Sequence, residues 1–308
     1  MKKTAILFNP SAGKGKAQRK KALLEKCLRD YGVDYELFVT TSEEDLVRLV
    51  PLLGEKYRTL VAAGGDSTLL IIINQMMRLG MDNTLGMIGL GSCNDVVKEF
   101  GIQRLTKACA AIQNGRTKKI DLGAIRQGNR ILRYYPGQAS IGLSVMVNQY
   151  VEKLVQKNSP MKKQLTLAGI IGTFQAFKSE KIPFPLSIGF ENGNLNGEFV
   201  LAAFNNIRYY AAGKILTPLA RHDDGKLDAC FVESCLFSRF AYLTLLSTRG
   251  RHVSHKEVSF LQSPFFEISS PTPFEIQVDG EVLSQAGSPI PFRQIAFTCV
   301  PQALRIIC

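Results

Sequence analysis

The sequence predicts an α/β nucleotide-binding domain, built on a parallel sheet with helices on both faces, followed by a β-rich, antiparallel, sandwich-like domain. Three observations carry this prediction. Up to about residue 120, short apolar strands alternate with segments of helical period. After Lys119 the pattern shortens to period-two runs separated by Gly and Asn turns. The chain has 308 residues, 45% of them hydrophobic, enough for about two cores and incompatible with wholesale disorder.

Taken in order, Thr4–Phe8 is a short apolar strand, Lys16–Tyr31 has Ala22, Leu23, Cys27 and Leu28 at helical spacing, and Asp34–Thr40 is a second strand. Ser42 followed by Glu43, Glu44 and Asp45 marks a helix start, with a hydroxyl to cap an amide and acids to meet the positive end of the helix dipole. Thr59–Ala63 and Leu85–Leu90 are strands; Leu69–Arg78 and the stretch near Asn94–Phe100 are helices. Such alternation makes the sheet parallel, and ligands of parallel sheets bind beyond the carboxyl ends of the strands. Strands are then expected at Ile120–Ile125, Ile131–Tyr135, Leu186–Phe190, Phe199–Phe204, Leu227–Val232, Phe274–Val278 and Gln294–Cys299, with a hairpin turn at Glu191-Asn192-Gly193-Asn194. Helical stretches at Val147–Lys178 and Phe237–Arg249 interrupt them. The domains are accordingly placed at 1–122 and 123–300, with 301–308 as a tail for which a return to the first domain is open.

The net charge of +12 favours an anionic partner: nucleic acid, a phosphorylated ligand or an acidic membrane surface. Nucleic acid is not expected, because no helix-turn-helix, finger or RNP-type motif is present. No apolar run approaches a membrane span, and Thr4–Phe8 is too short for a signal sequence, so a cytoplasmic protein is expected, peripheral to a membrane at most. The 7 cysteines are scattered and never spaced C-x-x-C, which signals neither a disulfide framework nor a zinc site. His252 and His255 are expected on a solvated basic surface.

Three polar, glycine-bearing loops follow strands of the first half. Asn9-Pro10-Ser11-Ala12-Gly13-Lys14-Gly15-Lys16 joins backbone freedom to lysine charge, but fits neither the Walker loop nor the dinucleotide fingerprint. In Gly64-Gly65-Asp66-Ser67-Thr68, two glycines let amides approach a ligand, Asp66 can hold Mg²⁺ or a ribose hydroxyl, and Thr68 opens a helix whose dipole favours phosphate. Gly89-Leu90-Gly91-Ser92-Cys93-Asn94-Asp95 again sets hydroxyl, amide and carboxylate groups at a helix start, where an N-cap is the plainer role for either carboxylate alone. Two such loops at consecutive strand ends point to a nucleotide site.

In order and spacing these loops resemble the N-P-x-S/A-G, G-G-D-G-T and G-T-x-N-D motifs of the diacylglycerol kinase catalytic family, which includes bacterial lipid kinases and sphingosine kinases. The resemblance continues through Asp121-Leu122-Gly123, Asp223-Asp224-Gly225-Lys226-Leu227-Asp228 and Val278-Asp279-Gly280-Glu281, and so covers essentially the whole chain. It implies an ATP- and Mg²⁺-dependent lipid kinase acting on a hydroxyl of diacylglycerol or a related membrane lipid, with the site in the cleft between the domains. It also implies ATP contacts at Asn9, Thr40, Gly64, Gly65, Asp66, Ser67, Thr68, Ser92, Asn94 and Asp95, with Asp66 and Asp95 supporting nucleotide and magnesium. Asp279 and Glu281 stand where the family receives the lipid hydroxyl's proton. A structural Mg²⁺ is implied on Asp224 with the backbone carbonyls of Arg221 and Lys226. The partners implied are a lipid at the inner membrane surface and a nucleotide; a homodimer stays open.

Ser67 replaces a family glycine and requires a negative φ there. Two other readings keep the fold: a kinase of a soluble substrate, since NAD kinases share G-G-D-G, and a catalytically weak lipid- or nucleotide-binding regulator, motivated by Ser67. The apolar segment Leu165–Phe177, flanked by Lys153, Lys157, Lys162, Lys163, Lys178 and Lys181, suits either an anionic bilayer or a cover for the β core.

Overall fold

The structure, a computed structural model, describes residues 4–156, 165–179, 182–211, 213–285 and 287–308. Its first half is β1 (Thr4–Phe8), α1 (Lys16–Asp30), β2 (Tyr35–Val39), α2 (Glu43–Lys56), β3 (Thr59–Gly64), α3 (Asp66–Arg78), β4 (Thr84–Gly89), α4 (Asp95–Glu99) and α5 (Leu105–Asn114). The strands are parallel in the order β2-β1-β3-β4. Alternation along β1 and β3 fills two apolar layers. Ala5, Leu7, Leu60 and Ala62 meet residues of α2 and α3, while Ile6, Phe8, Val61 and Ala63 meet residues of α1 and α5. The Ser42 hydroxyl accepts from the Asp45 amide at 3.2 Å and so caps α2.

The second half comprises β5 (Thr117–Gln127), β6 (Arg130–Tyr135), β7 (Gln138–Gly142), α6 (Leu143–Gln156), α7 (Leu165–Phe177), β8 (Phe184–Phe190), β9 (Gly193–Asn205), β10 (Tyr209–Tyr210), β11 (Lys214–Ile215), β12 (Leu227–Glu233), α8 (Phe237–Ser247), β13 (Val258–Ser263), β14 (Phe265–Phe274), β15 (Ile276–Val278), β16 (Glu281–Val282), β17 (Ser284–Gln285), β18 (Ser288–Pro289) and β19 (Phe292–Ile307). Pairing is antiparallel, and the core is aromatic: Phe204 stacks on Phe297 with ring centroids 4.0 Å apart, beside Phe231 and Phe266.

The two halves share a 15-stranded sheet through β19. That strand pairs with β14 at its start and with β5 along most of its length, breaks register between Val300 and Leu304, and ends parallel to β4 at Ile306 and Leu85. Residue 122 lies inside β5. The helical stretch expected at Val147–Lys178 carries two helices, α6 and α7, the first starting earlier at Leu143, and Lys157, Lys162, Lys163 and Lys181 lie outside the described residues. Helix α5 had no distinct sequence signal, and α3 starts at Asp66 rather than Leu69.

Candidate active site

Because β1, β3 and β4 are parallel, the loops that leave them gather at one end of the sheet, and glycine lets them touch. A Cβ on Gly91 would lie 2.6 Å from the Gly65 Cα, and one on Gly13 would lie 2.7 Å from the Leu90 carbonyl oxygen. Gly13 also needs its φ of +60°. Asn9 ties the first loop to the second, its Nδ2 donating to the Thr68 Oγ1 at 2.9 Å.

The loops use their amides differently. In the first, the amides of Ser11, Ala12, Gly15, Lys16, Ala17 and Gln18 all donate to acceptors of the loop itself, which leaves α1 little to offer a phosphate. In α3 the first i→i−4 bond runs from Leu69 to Gly65 at 3.1 Å, so the amides of Asp66, Ser67 and Thr68 lie ahead of it at the positive end of a 13-residue helix. Ser67 is in the first turn of α3, exposed, and is not among the residues with positive φ. Its Cβ therefore adds no backbone strain.

Asp66 holds the second loop to the third. Its Oδ2 accepts from the Asn94 amide at 2.8 Å, and the Asp95 amide also stabilises the carboxylate at the start of α4. Burial, with the charge of Asp95, nevertheless pushes the Asp66 carboxyl up to about 6. Asn94, at φ 53°, spends its side chain inside its own loop, accepting from the Gly91 amide and donating to the Gly91 carbonyl. Ser92 is exposed. Thr40 does not reach this surface: it is 2% exposed and its hydroxyl donates to the Phe8 carbonyl at 3.2 Å.

Asp279 faces the loops from the second half. Val278 pairs with Glu281, leaving Asp279 and Gly280 as a two-residue turn with φ of +44° and +94°. Asp-Gly is the residue pair such a left-handed turn prefers. The turn aims the carboxylate at β7, where Oδ1 accepts from the Gln138 amide at 2.8 Å and Oδ2 is buried with no partner. Burial pushes this carboxyl up to about 8; the Gln138 amide opposes the rise, and the charges of Asp66 and Asp95 add to it. Glu281, the other acid of the turn, pairs with Arg133 at 3.4 Å.

Sequence reasoning missed four contributors. A Cβ on Gly137 would sit 2.2 Å from Asp279 Oδ1, so only glycine admits the carboxylate. Arg133 on β6 engages Glu281. Lys98 pairs with Asp95 at 3.1 Å, and the charges of Lys98 and Lys214 both reach Cys93 in the third loop. Of these, only Lys98 carries a local signal, three residues after Asp95 on one helix.

The Asp223-Asp224-Gly225 turn lies apart from the glycine loops and is clamped by Asp121. That carboxylate, 0% exposed, accepts from the amides of Gly225 and Gln302, each at 2.7 Å, joining the turn to the irregular part of β19. Asp224 accepts from the Lys226 amide at 3.1 Å, and Arg221 points its guanidinium at Asp223. Near Asp224, Asp228 has a buried Oδ2 with no partner, and its carboxyl is pushed up to about 7, chiefly by burial.

Both acidic places fit a cation. At the loops, the charge of Asp95 opposes ionisation of Asp66, and the charges of Asp66 and Asp95 oppose that of Asp279. At the turn, the charge of Asp224 adds to the rise of the Asp228 carboxyl, whose Oδ2 has no partner. Among the described residues no three His, Cys, Asp or Glu side chains converge on one point, so a hard ion would complete its shell with backbone carbonyls, phosphate oxygens or water. The expectation for His252 is corrected: it is 1% exposed, with Nε2 2.9 Å from the Leu216 carbonyl oxygen, because its short 3₁₀ turn packs inward. A cavity of about 430 Å³ lined by Thr4, Arg58, Thr84 and Arg305 opens at the amino ends of the parallel strands, away from all these residues.

Comparisons with known proteins agree with this layout. Residues 3–125 match the diacylglycerol kinase catalytic domain, and residues 137–308 match the YegS C-terminal NAD kinase beta sandwich-like domain. The chain is 28% identical to a diacylglycerol kinase of Mycobacterium tuberculosis over 312 residues, covering 99% of this chain and 94% of that one. It is 27% identical to a diacylglycerol kinase of Staphylococcus aureus over 290 residues, covering 91% and 86%. In fold it is similar to the crystal structure of a diacylglycerol kinase from Bacillus anthracis, with a TM-score of 0.71 at 17% identity, covering 99% of this chain and 96% of that one.

Proposed function

Because the chain belongs to the diacylglycerol kinase family and is a lipid kinase, we propose that it uses ATP and Mg²⁺ to phosphorylate a hydroxyl of diacylglycerol or a related membrane lipid. The observation that carries this reading is Asp279, one oxygen fixed by the Gln138 amide, the other buried without a partner and within the electrostatic reach of Asp66 and Asp95.

In the proposed reaction the lipid hydroxyl oxygen bonds to the γ-phosphorus, the bond from that phosphorus to the bridging oxygen of ADP breaks, and the hydroxyl proton passes to Asp279. A carboxylate suffices because the hydroxyl becomes acidic only as it attacks. Burial raises the proton affinity of Asp279, which strengthens it as a base once ionised. Arg133 holds Glu281 beside the turn. The first amides of α3 receive phosphate oxygens, while Gly64, Gly65 and Gly91 let Thr68 and the neighbouring loops close up behind them. Mg²⁺, held by Asp66 and Asp95, would offset phosphate charge; a second ion on Asp224 and the carbonyls of Arg221 and Lys226 would stiffen the turn.

No helix among the described residues is long and apolar enough to cross a membrane. We infer a cytoplasmic protein that meets its lipid peripherally at the inner membrane surface. Incubation with radiolabelled ATP, Mg²⁺ and diacylglycerol in mixed micelles should carry label into the organic phase. Asp279→Asn should lower the rate by roughly 10²–10⁴. Label confined to a water-soluble product, or absent, would overturn the proposal.

A further inference from the structure

Helix α8 is apolar toward solvent as well as toward the core. Phe240 and Leu243 are buried, but Leu236, just ahead of the first turn, is 78% exposed, Tyr242 is 45% and Leu245 is 67%. The edge of α7 extends this surface: Ile170 and Phe174, one turn apart, are 58% and 42% exposed. Phe174 meets Phe237 edge-on with centroids 5.3 Å apart, and Lys178 Nζ lies 4.4 Å over the Phe174 ring. From Phe237 the apolar line continues at successive turns through Ala241 to Leu245.

The charge around the patch says what covers it. Between Glu233 and Glu257 the sequence holds Arg239, Arg249, Arg251 and Lys256 and no carboxylate. Arg239 is drawn onto Glu257 at 2.8 Å, leaving Arg249, Arg251 and Lys256 exposed. A second copy of the chain would set these cations against their own kind. An anionic bilayer takes leucine and phenylalanine into the acyl boundary and meets the cations with headgroup phosphates.

The patch is also connected to the acceptor carboxylate through packed helices. Helix α7 packs on α6, where Gly172 lies so near Tyr150 that an added Cβ would be 3.0 Å from its ring. In α6, Asn148 donates to the Gly280 carbonyl at 3.0 Å, next to Asp279. Resting on the lipid-kinase reading above, we propose that α8 and the outer edge of α7 form the surface that docks on an anionic bilayer, with Leu236 and Leu245 entering it and Arg249, Arg251 and Lys256 flanking them.

The chain has Trp 0, so Leu245→Trp makes a single reporter. With vesicles of phosphatidylcholine and phosphatidylglycerol its emission should shift to the blue, and with phosphatidylcholine alone it should not. Leu23→Trp, on the exposed side of α1 where Leu23 is 58% exposed, should stay unshifted on both. No shift at Leu245, or a shift only at Leu23, overturns the proposal. In sedimentation, the double variant Leu236→Asp and Leu245→Asp should bind the anionic vesicles roughly tenfold less or worse, while phosphorylation of a dispersed short-chain diacylglycerol stays within about twofold. Undiminished vesicle binding by that variant also overturns it. Failure of the parent chain to phosphorylate the dispersed substrate, with vesicle binding intact, would instead remove the lipid-kinase reading and leave the docking surface standing.

Discussion

Asp279 shows a residue whose native environment works against the fold. Its carboxyl rises from 3.8 to about 8 because burial withholds solvation and Asp66 and Asp95 repel the charge. Between those values the unfolded chain has lost the proton and the folded chain keeps it, so stability falls as pH rises through the window and levels off above it. Asparagine keeps the shape and an acceptor for the Gln138 amide but carries no charge. Asp279→Asn should therefore melt above the parent at pH 8, by on the order of 1 kcal/mol or more, with the gain shrinking toward pH 4.5. An equal gain at both pH values in calorimetry would show that the raised proton affinity is not its source. Of the partners that set this environment, Val278-Asp279-Gly280-Glu281 is legible in the sequence only through its resemblance to a family motif. Gly137 is not, because its need for a bare Cα comes from a carboxylate 142 positions further on that only the paired strands β7 and β15 bring near.

At the scale of elements, the three loops were readable because glycine, hydroxyl and carboxylate residues follow apolar strands at a spacing that makes the strands parallel. The helix starts were less readable. Asp66-Ser67-Thr68 gives no apolar periodicity, so the pattern starts α3 at Leu69, although its first turn carries the amides that face the site. This difference decides the meaning of Ser67. As a loop residue its Cβ would block phosphate wherever φ is positive; as the second residue of α3 it is in an ordinary helical conformation and points outward. Ser67→Gly should leave the rate of phosphate transfer within about twofold and lower stability by roughly 0.5 kcal/mol, since glycine has the larger conformational entropy to lose in a helix. A several-fold gain in rate would restore the reading of a weakened enzyme. The division between α6 and α7 is legible after all: the polar run Lys157-Asn158-Ser159-Pro160 interrupts the apolar spacing, and its proline is a helix breaker.

The whole molecule is held by a strand that two separately folded domains would not need. β19 begins against β14 in the aromatic core and ends against β4 in the parallel sheet that carries the glycine loops, and between them the Gln302 amide donates to Asp121, which also holds Gly225. Leu304 and Ile306, 3% and 1% exposed, are in the apolar layer of Leu7, Leu60 and Leu85, so the last strand is part of the first core. Periodicity finds the apolar run at Gln294–Cys299 but cannot carry it past Pro301, where the missing amide and the left-handed Gln302 at φ 47° break the pattern without ending the strand. One sheet with one shared strand should unfold as one unit. Deleting residues 303–308 removes three buried aliphatic side chains, Leu304, Ile306 and Ile307, and strips a partner from β4, a loss of about 6 kcal/mol or more at 2–5 kcal/mol per large-to-small core change. Heat or urea should then melt the α/β half first, giving two transitions by circular dichroism where the intact chain gives one, and ATP binding should fail with the first. A single transition in the shortened chain, with ATP still bound, would mean that β19 is a passenger on the first core rather than the member that couples it to the second.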